Sequence, residues 1–177
     1  MINGEEAQKT GSSKMPSPLH TVALAVRLLF FSEKALYAVF LNNSHTFNII
    51  CFYVITLFIP YRDMDGMIYP DSSGRILESL ILTSVFIMIL FLYLPKKVSV
   101  FMGFLRLMLA FEATSMFLPV SFLLKGDYIR FYNPLIMGWY LSLAIFAVSK
   151  IKGYSYWISA VIVFGSFIMT IFLPAFF

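Results

Sequence analysis

The stretch Ser99 to Leu124, SVFMGFLRLMLAFEATSMFLPVSFLL, decides the fold. At about 1.5 Å of rise per residue it exceeds a hydrocarbon core of about 30 Å when helical, so it reads as a membrane-spanning helix. Two charged side chains interrupt it, Arg106 part-way in and Glu112 near the middle. At about 100° of turn per residue, Gly103, Ala110, Thr114 and Ser121 fall on one narrow stripe, with Glu112 on the opposite side. Small residues admit a neighbouring backbone, so this helix is expected to have protein on both of its sides, with Arg106 reaching out to cytoplasmic phosphates.

The rest of the chain agrees with lipid as its solvent. It is 60% hydrophobic and 18% aromatic, and only 12% of its residues are charged, a composition far from that of a soluble domain. The net charge of +4 is small and forms no basic stripe, which argues against a nucleic-acid partner. Cys51 is the only cysteine and lies in an apolar run, so neither an internal disulfide nor a structural zinc site is expected. His20 and His45 have no companion carboxylates at ligand spacing, and no nucleophile elbow accompanies the serines. No metal, no other cofactor and no enzymatic activity is expected. The partners expected are the lipid bilayer and other membrane protein subunits.

Working outward, the pattern predicts an all-α polytopic membrane protein, five transmembrane helices in one bundle preceded by an interfacial amphipathic helix. Residues 1–18 are polar and rich in Gly, Ser, Lys and Glu, a disordered tail by composition. Over 19–41, His20, Arg27 and Lys34 recur a heptad apart and line one face of an otherwise apolar stretch. That face suits lipid head groups, and the apolar remainder suits acyl chains. Asn42, Asn43 and Ser44 then break the helix. The membrane domain, 46–177, has spans predicted at about 46–62, 76–94, 99–124, 132–149 and 154–172. Between the first two lies a solvated acidic loop with Asp63, Asp65 and Asp71. Asn133-Pro134 opens the fourth span, where proline is tolerated in a first turn. The hydroxyl and glycine positions within spans, Thr83, Ser115 and Gly138 among them, read as packing contacts.

Charge sets the direction. With a cytoplasmic amino terminus, Lys9, Lys14, Arg27, Lys34, Lys96, Lys97, Lys150 and Lys152 lie inside, against Arg62, Arg75, Lys125 and Arg130 outside. Five spans then leave the carboxyl terminus at Phe177 outside.

The order of features resembles the Yip family of Ypt/Rab-interacting membrane proteins and their bacterial relatives. The likeness runs through LLFFSEKALYAVF (Leu28 to Phe40), VFMGFLRLMLAF (Val100 to Phe111) and NPLIMGWYLSLAIFAVSKIKGYSYW (Asn133 to Trp157). It implies an interfacial segment followed by five spans, and a non-enzymatic interaction or scaffold subunit of a membrane assembly. Phe111-Glu112 takes the family's tyrosine-rich position in the third span, and the long amino-terminal region of the trafficking members is missing. Both departures favour a bacterial-type relative in the cytoplasmic membrane over an ER or Golgi protein. The alternative function is a small transporter or channel component in which Glu112 handles a proton or cation.

Overall fold

The computed structural model describes residues 16–63, 65–70 and 73–172. Most of the tail expected over 1–18, Asp71 of the acidic loop and the carboxyl terminus at Phe177 lie outside them. Seven α-helices, two 3₁₀ segments and one short β-pair are the elements of the described residues.

Helix α1 (Pro18–Leu29) starts where Ser17 Oγ accepts the His20 N–H at 3.2 Å. Pro18 takes the first position, where a missing N–H leaves no bond unmade. The chain then turns through Phe31, whose φ of 57° is left-handed. Ser32 starts α2 (Glu33–Leu41), its Oγ accepting the Ala35 N–H at 3.3 Å. The single helix expected over 19–41 is therefore two, because a serine cap restarts the winding. Their apolar faces, Leu24, Ala25, Leu28 and Leu29 on α1 and Ala35, Leu36 and Val39 on α2, are buried. What covers them is protein, chiefly α5 and each other, with α3 also against α1, where acyl chains were expected.

A 3₁₀ turn, Asn43–His45, leads into α3 (Thr46–Thr56), and the chain bends by 84° between α2 and the Asn43–Thr56 segment. Eleven residues of α3 rise only about 16 Å, so 46–62 is not a continuous span. Past Thr56 the chain leaves the helix and enters an antiparallel pair, β1 (Tyr61–Arg62) with β2 (Ile68–Tyr69), with the Tyr61 and Tyr69 rings stacked at 5.5 Å. Asp63 Oδ1 accepts the N–H groups of Asp65 at 3.0 Å and Met67 at 2.8 Å, which closes the turn between the strands.

Helix α4 (Ser73–Leu92) and helix α5 (Val98–Phe111) follow, and α5 continues as a 3₁₀ helix over Glu112–Leu123. Helix α6 (Gly126–Lys152) extends past the predicted 132–149 at both ends, so Pro134 lies two turns inside it instead of opening it. Gly153, at φ 71°, ends α6 with its N–H on Ser149 O at 2.8 Å, a left-handed stop that glycine adopts without strain. Helix α7 (Tyr156–Phe172) closes the bundle.

Val98–Leu123 and Gly126–Lys152 are long and apolar enough to cross a membrane, and the bent α2–α3 pair is a third if it counts as one span. Ile76–Leu92 and Tyr156–Phe172 are apolar but shorter. The all-helical class stands, while length and composition give two to three crossings where five were predicted. Helix α7 shows what medium the surface suits. Its buried face is Ser159, Val163, Ser166 and Thr170, and its exposed face carries Trp157, Val161, Phe164, Ile168 and Phe172. The three buried hydroxyls donate to carbonyls of their own helix, from Ser159 to Ser155 at 3.1 Å, from Ser166 to Ile162 at 2.8 Å and from Thr170 to Ser166 at 2.9 Å. A helix that turns hydroxyls inward and large apolar groups outward has the polarity of a helix in lipid.

Candidate functional site

The central stretch changes winding at Glu112, and that change builds the site. In a 3₁₀ helix residues i and i+3 eclipse, so Ser115 sits directly over Glu112 and its Oγ donates to Glu112 Oε2 at 3.3 Å. At about 120° per residue, Glu112 and Thr114 no longer stand on opposite sides, and both line one cavity of about 550 Å³. Its walls come from α3, the β-pair, α4, the 3₁₀ helix, α6 and α7, and they include Thr83, Phe86, Asn133, Ile136, Tyr140 and Phe167. Glu78 of α4 contributes a second carboxylate. Among the described lining residues there is no lysine, arginine or histidine.

Aromatic rings form one side of the cavity. Phe86 lies 6.2 Å from Tyr140 and meets Phe167 edge to face at 6.3 Å. Two buried polar atoms of the wall, the Tyr140 hydroxyl and Asn133 Oδ1, have no hydrogen-bond partner. Asn133 is held by its other amide atom, as Nδ2 donates to Arg62 O at 3.3 Å. Tyr140 and Asn133 were not legible as site members, because one reads as a spanning aromatic and the other as a helix start. An acid at mid-span was the only sequence signal that pointed here.

Arg106 has a different role from the one expected. It is buried, and its Nε donates to Val39 O at 3.0 Å, its Nη2 to Phe40 O and its Nη1 to Thr46 Oγ1 at 3.3 Å. The carbonyls belong to the last turn of α2, which has no further helix to satisfy them. The guanidinium thus caps α2 at the bend into α3, where the negative end of the helix dipole also favours a cation. It is turned to this bend and does not snorkel to phosphates.

The small-residue stripe separates into distinct contacts. Gly103 lies under the end of α2, where an added Cβ would come within 2.7 Å of the Phe40 carbonyl oxygen. Ala110 is buried in the core, Thr114 lines the cavity, and Ser121 Oγ accepts the Arg62 N–H of β1 at 2.8 Å. His20, Arg27 and Lys34 are exposed, but the break at Phe31 puts the first two on α1 and the third on α2. The His20 ring lies 5.7 Å from that of His45, whose Nδ1 is hydrogen-bonded to Thr21 Oγ1 at 2.9 Å. Among the described residues no group of three His, Cys, Asp or Glu side chains could hold a metal.

No family model, curated protein or solved structure matches the chain. Its class rests on fold and site alone: an all-helical protein with two to three helices able to cross a membrane and an acid-bearing cavity among its helices.

Proposed function

We propose that this chain is an integral membrane protein of a bacterial cytoplasmic membrane that acts as the binding component of a small transporter or channel, with Glu112 taking up a proton or cation. The observation that carries this reading is the Glu112 carboxylate in a cavity of about 550 Å³, at the point where a spanning stretch changes its winding. A carboxylate held among apolar and aromatic walls is costly to keep ionised, and acids so placed commonly mark ion or proton paths. Interrupted helices at membrane depth belong where backbone lines a cavity, and here the α5–3₁₀ junction at Glu112 lines one.

In the proposed arrangement the α2–α3 pair is the first of five crossings, and α4, α5 with its 3₁₀ extension, α6 and α7 are the others. Lys96, Lys97, Lys150 and Lys152 then share the cytoplasmic end, where Glu33 of α2 pairs with Lys150 at 2.5 Å. Arg27 and Lys34 meet head groups, and the β-pair with Asp63 and Asp65 faces outward. The rival is a Yip-type interaction subunit. It rests on the resemblance in sequence and on exposed apolar faces such as that of α7, which acyl chains would cover equally well.

Purified protein in sealed vesicles provides the test. Flux driven by a pH step is expected, and Glu112→Gln is expected to abolish it while leaving the melting temperature within a few degrees. Absence of flux in the intact protein, together with loss of a co-purifying membrane protein in the variant, would replace this reading with the interaction subunit.

A further inference from the structure

We infer that the Glu112 cavity is a binding site for a lipophilic organic ammonium ion, a primary or secondary amine with an aromatic or aliphatic body. The inference deepens the transport reading above and rests on the same cavity.

Size is the first argument. The cavity of about 550 Å³ falls in the range of small-molecule pockets, roughly 300 to 1,000 Å³. A desolvated metal ion needs six or more oxygens closing to about 2.0 to 2.6 Å, and among the described residues no group of three His, Cys, Asp or Glu side chains could hold one. A proton alone needs no cavity.

Charge is the second. Glu112 and Glu78 are its carboxylates, and no cation stands among the described lining residues, so an anionic ligand would meet like charges and no opposite one. The rings of Phe86, Tyr140 and Phe167 line the same cavity, and the electron-rich faces of such rings attract an ammonium group.

The third argument is the pair of unpartnered atoms. Asn133 Oδ1 is an acceptor and the Tyr140 hydroxyl can serve as one, and both are buried without a partner. A neutral apolar occupant such as a lipid tail would leave them unsatisfied and would add nothing to the Ser115 hydroxyl that Glu112 already accepts from. A primary or secondary ammonium carries two or three N–H donors, one for the carboxylate and one for whichever of these atoms a turn of its side chain opens to the cavity, while its apolar body rests against Leu82, Ile136 and Met137.

Equilibrium dialysis of the full chain in non-ionic detergent tests this, with protein-free micelles as the blank. The probes are 4-phenylbutylamine, the isosteric 4-phenylbutanol, 4-phenylbutanoate and calcium chloride. Saturable one-to-one binding of the amine is expected, at least tenfold tighter than that of the alcohol, with no binding of the carboxylate and no competition from calcium. Glu112→Gln should weaken amine binding at least tenfold, and Glu112→Asp should weaken it less. If Glu112→Gln does not fold, the comparison of amine with alcohol on the unaltered protein decides alone. Equal retention of amine and alcohol, or displacement of the amine by calcium, would overturn the assignment. Amine binding without vesicle flux would keep this site and dismiss transport, whereas flux without amine binding would do the reverse.

Discussion

Two residues one turn apart on α5 hold the amino-terminal helices to the bundle, and they act by opposite means. Arg106 adds donors where α2 has run out of them, reaching Val39 O, Phe40 O and Thr46 Oγ1. Truncation to alanine leaves buried carbonyls unsatisfied and removes a cation from a helix terminus, at an expected cost of about 2 to 4 kcal/mol. Arg106→Lys should fall between, because one ammonium cannot span three acceptors that a planar fork reaches together. Thermal unfolding in a single detergent ranks the three proteins, and equal midpoints would mean that the guanidinium is not a cap. Gly103 instead contributes by absence. The Cβ of Gly103→Ala would lie 2.7 Å from the Phe40 carbonyl oxygen, a backbone atom already fixed by Arg106, so a loss of about 1 to 3 kcal/mol is expected. Gly138 of α6 has open space around its would-be Cβ, and Gly138→Ala should raise stability by up to about 1 kcal/mol through helix propensity. Opposite signs for the two alanines in one unfolding assay are the expected outcome.

At the scale of elements the recurring device is a side chain from a long helix closing the end of a short one. Trp139 of α6 donates from Nε1 to Leu29 O at 2.9 Å, the last residue of α1, while its ring stacks on Phe117 at 5.5 Å. Trp139→Phe keeps an aromatic face and removes the donor, so a loss of about 1 kcal/mol is expected, with faster amide exchange confined to α1. Exchange that quickens equally in α7 would show a general loosening instead. These end contacts mark the limit of what was legible in the sequence. The apolar run and its mid-span acid were legible because they are properties of one stretch. The break at Phe31 was not, because the heptad of His20, Arg27 and Lys34 imitates a single helical phase across a serine cap. The phase of Glu112 was lost for a related reason: 100° per residue holds over Val98–Phe111 and fails over the 3₁₀ segment, which closes the angle between Glu112 and Thr114 from about 160° to about 120°, and both line the cavity. The cavity itself is assembled from elements far apart in the chain, so no local pattern announced Tyr140 or Asn133.

For the molecule as a whole, the inverted polarity of α7 supports lipid as the surrounding medium, and the orientation then turns on how many helices cross. The β-pair and Lys152 are separated by α4, α5 with its 3₁₀ helix, and α6, an odd number of crossings in the proposed arrangement. With Cys51→Ser as background, Asp65→Cys should react with an impermeant maleimide on intact cells, and Lys152→Cys only after permeabilisation. The reverse pattern would invert the proposed orientation. Labelling of both from one side would remove a crossing, and α4 is the helix to remove. Its apolar stretch Ile76–Leu92 rises about 25 Å, short of the roughly 30 Å of hydrocarbon, whereas Val98–Leu123 and Gly126–Lys152 have length to spare. Helix α4 can cross only where the bilayer thins around it or where flanking groups such as Tyr93 and Lys96 reach the interface. Opposite-side labelling of the two cysteines would mean that it does, and labelling of Asp65→Cys from outside would put the Glu78 end of α4, with the β-pair, on the outer side of the membrane.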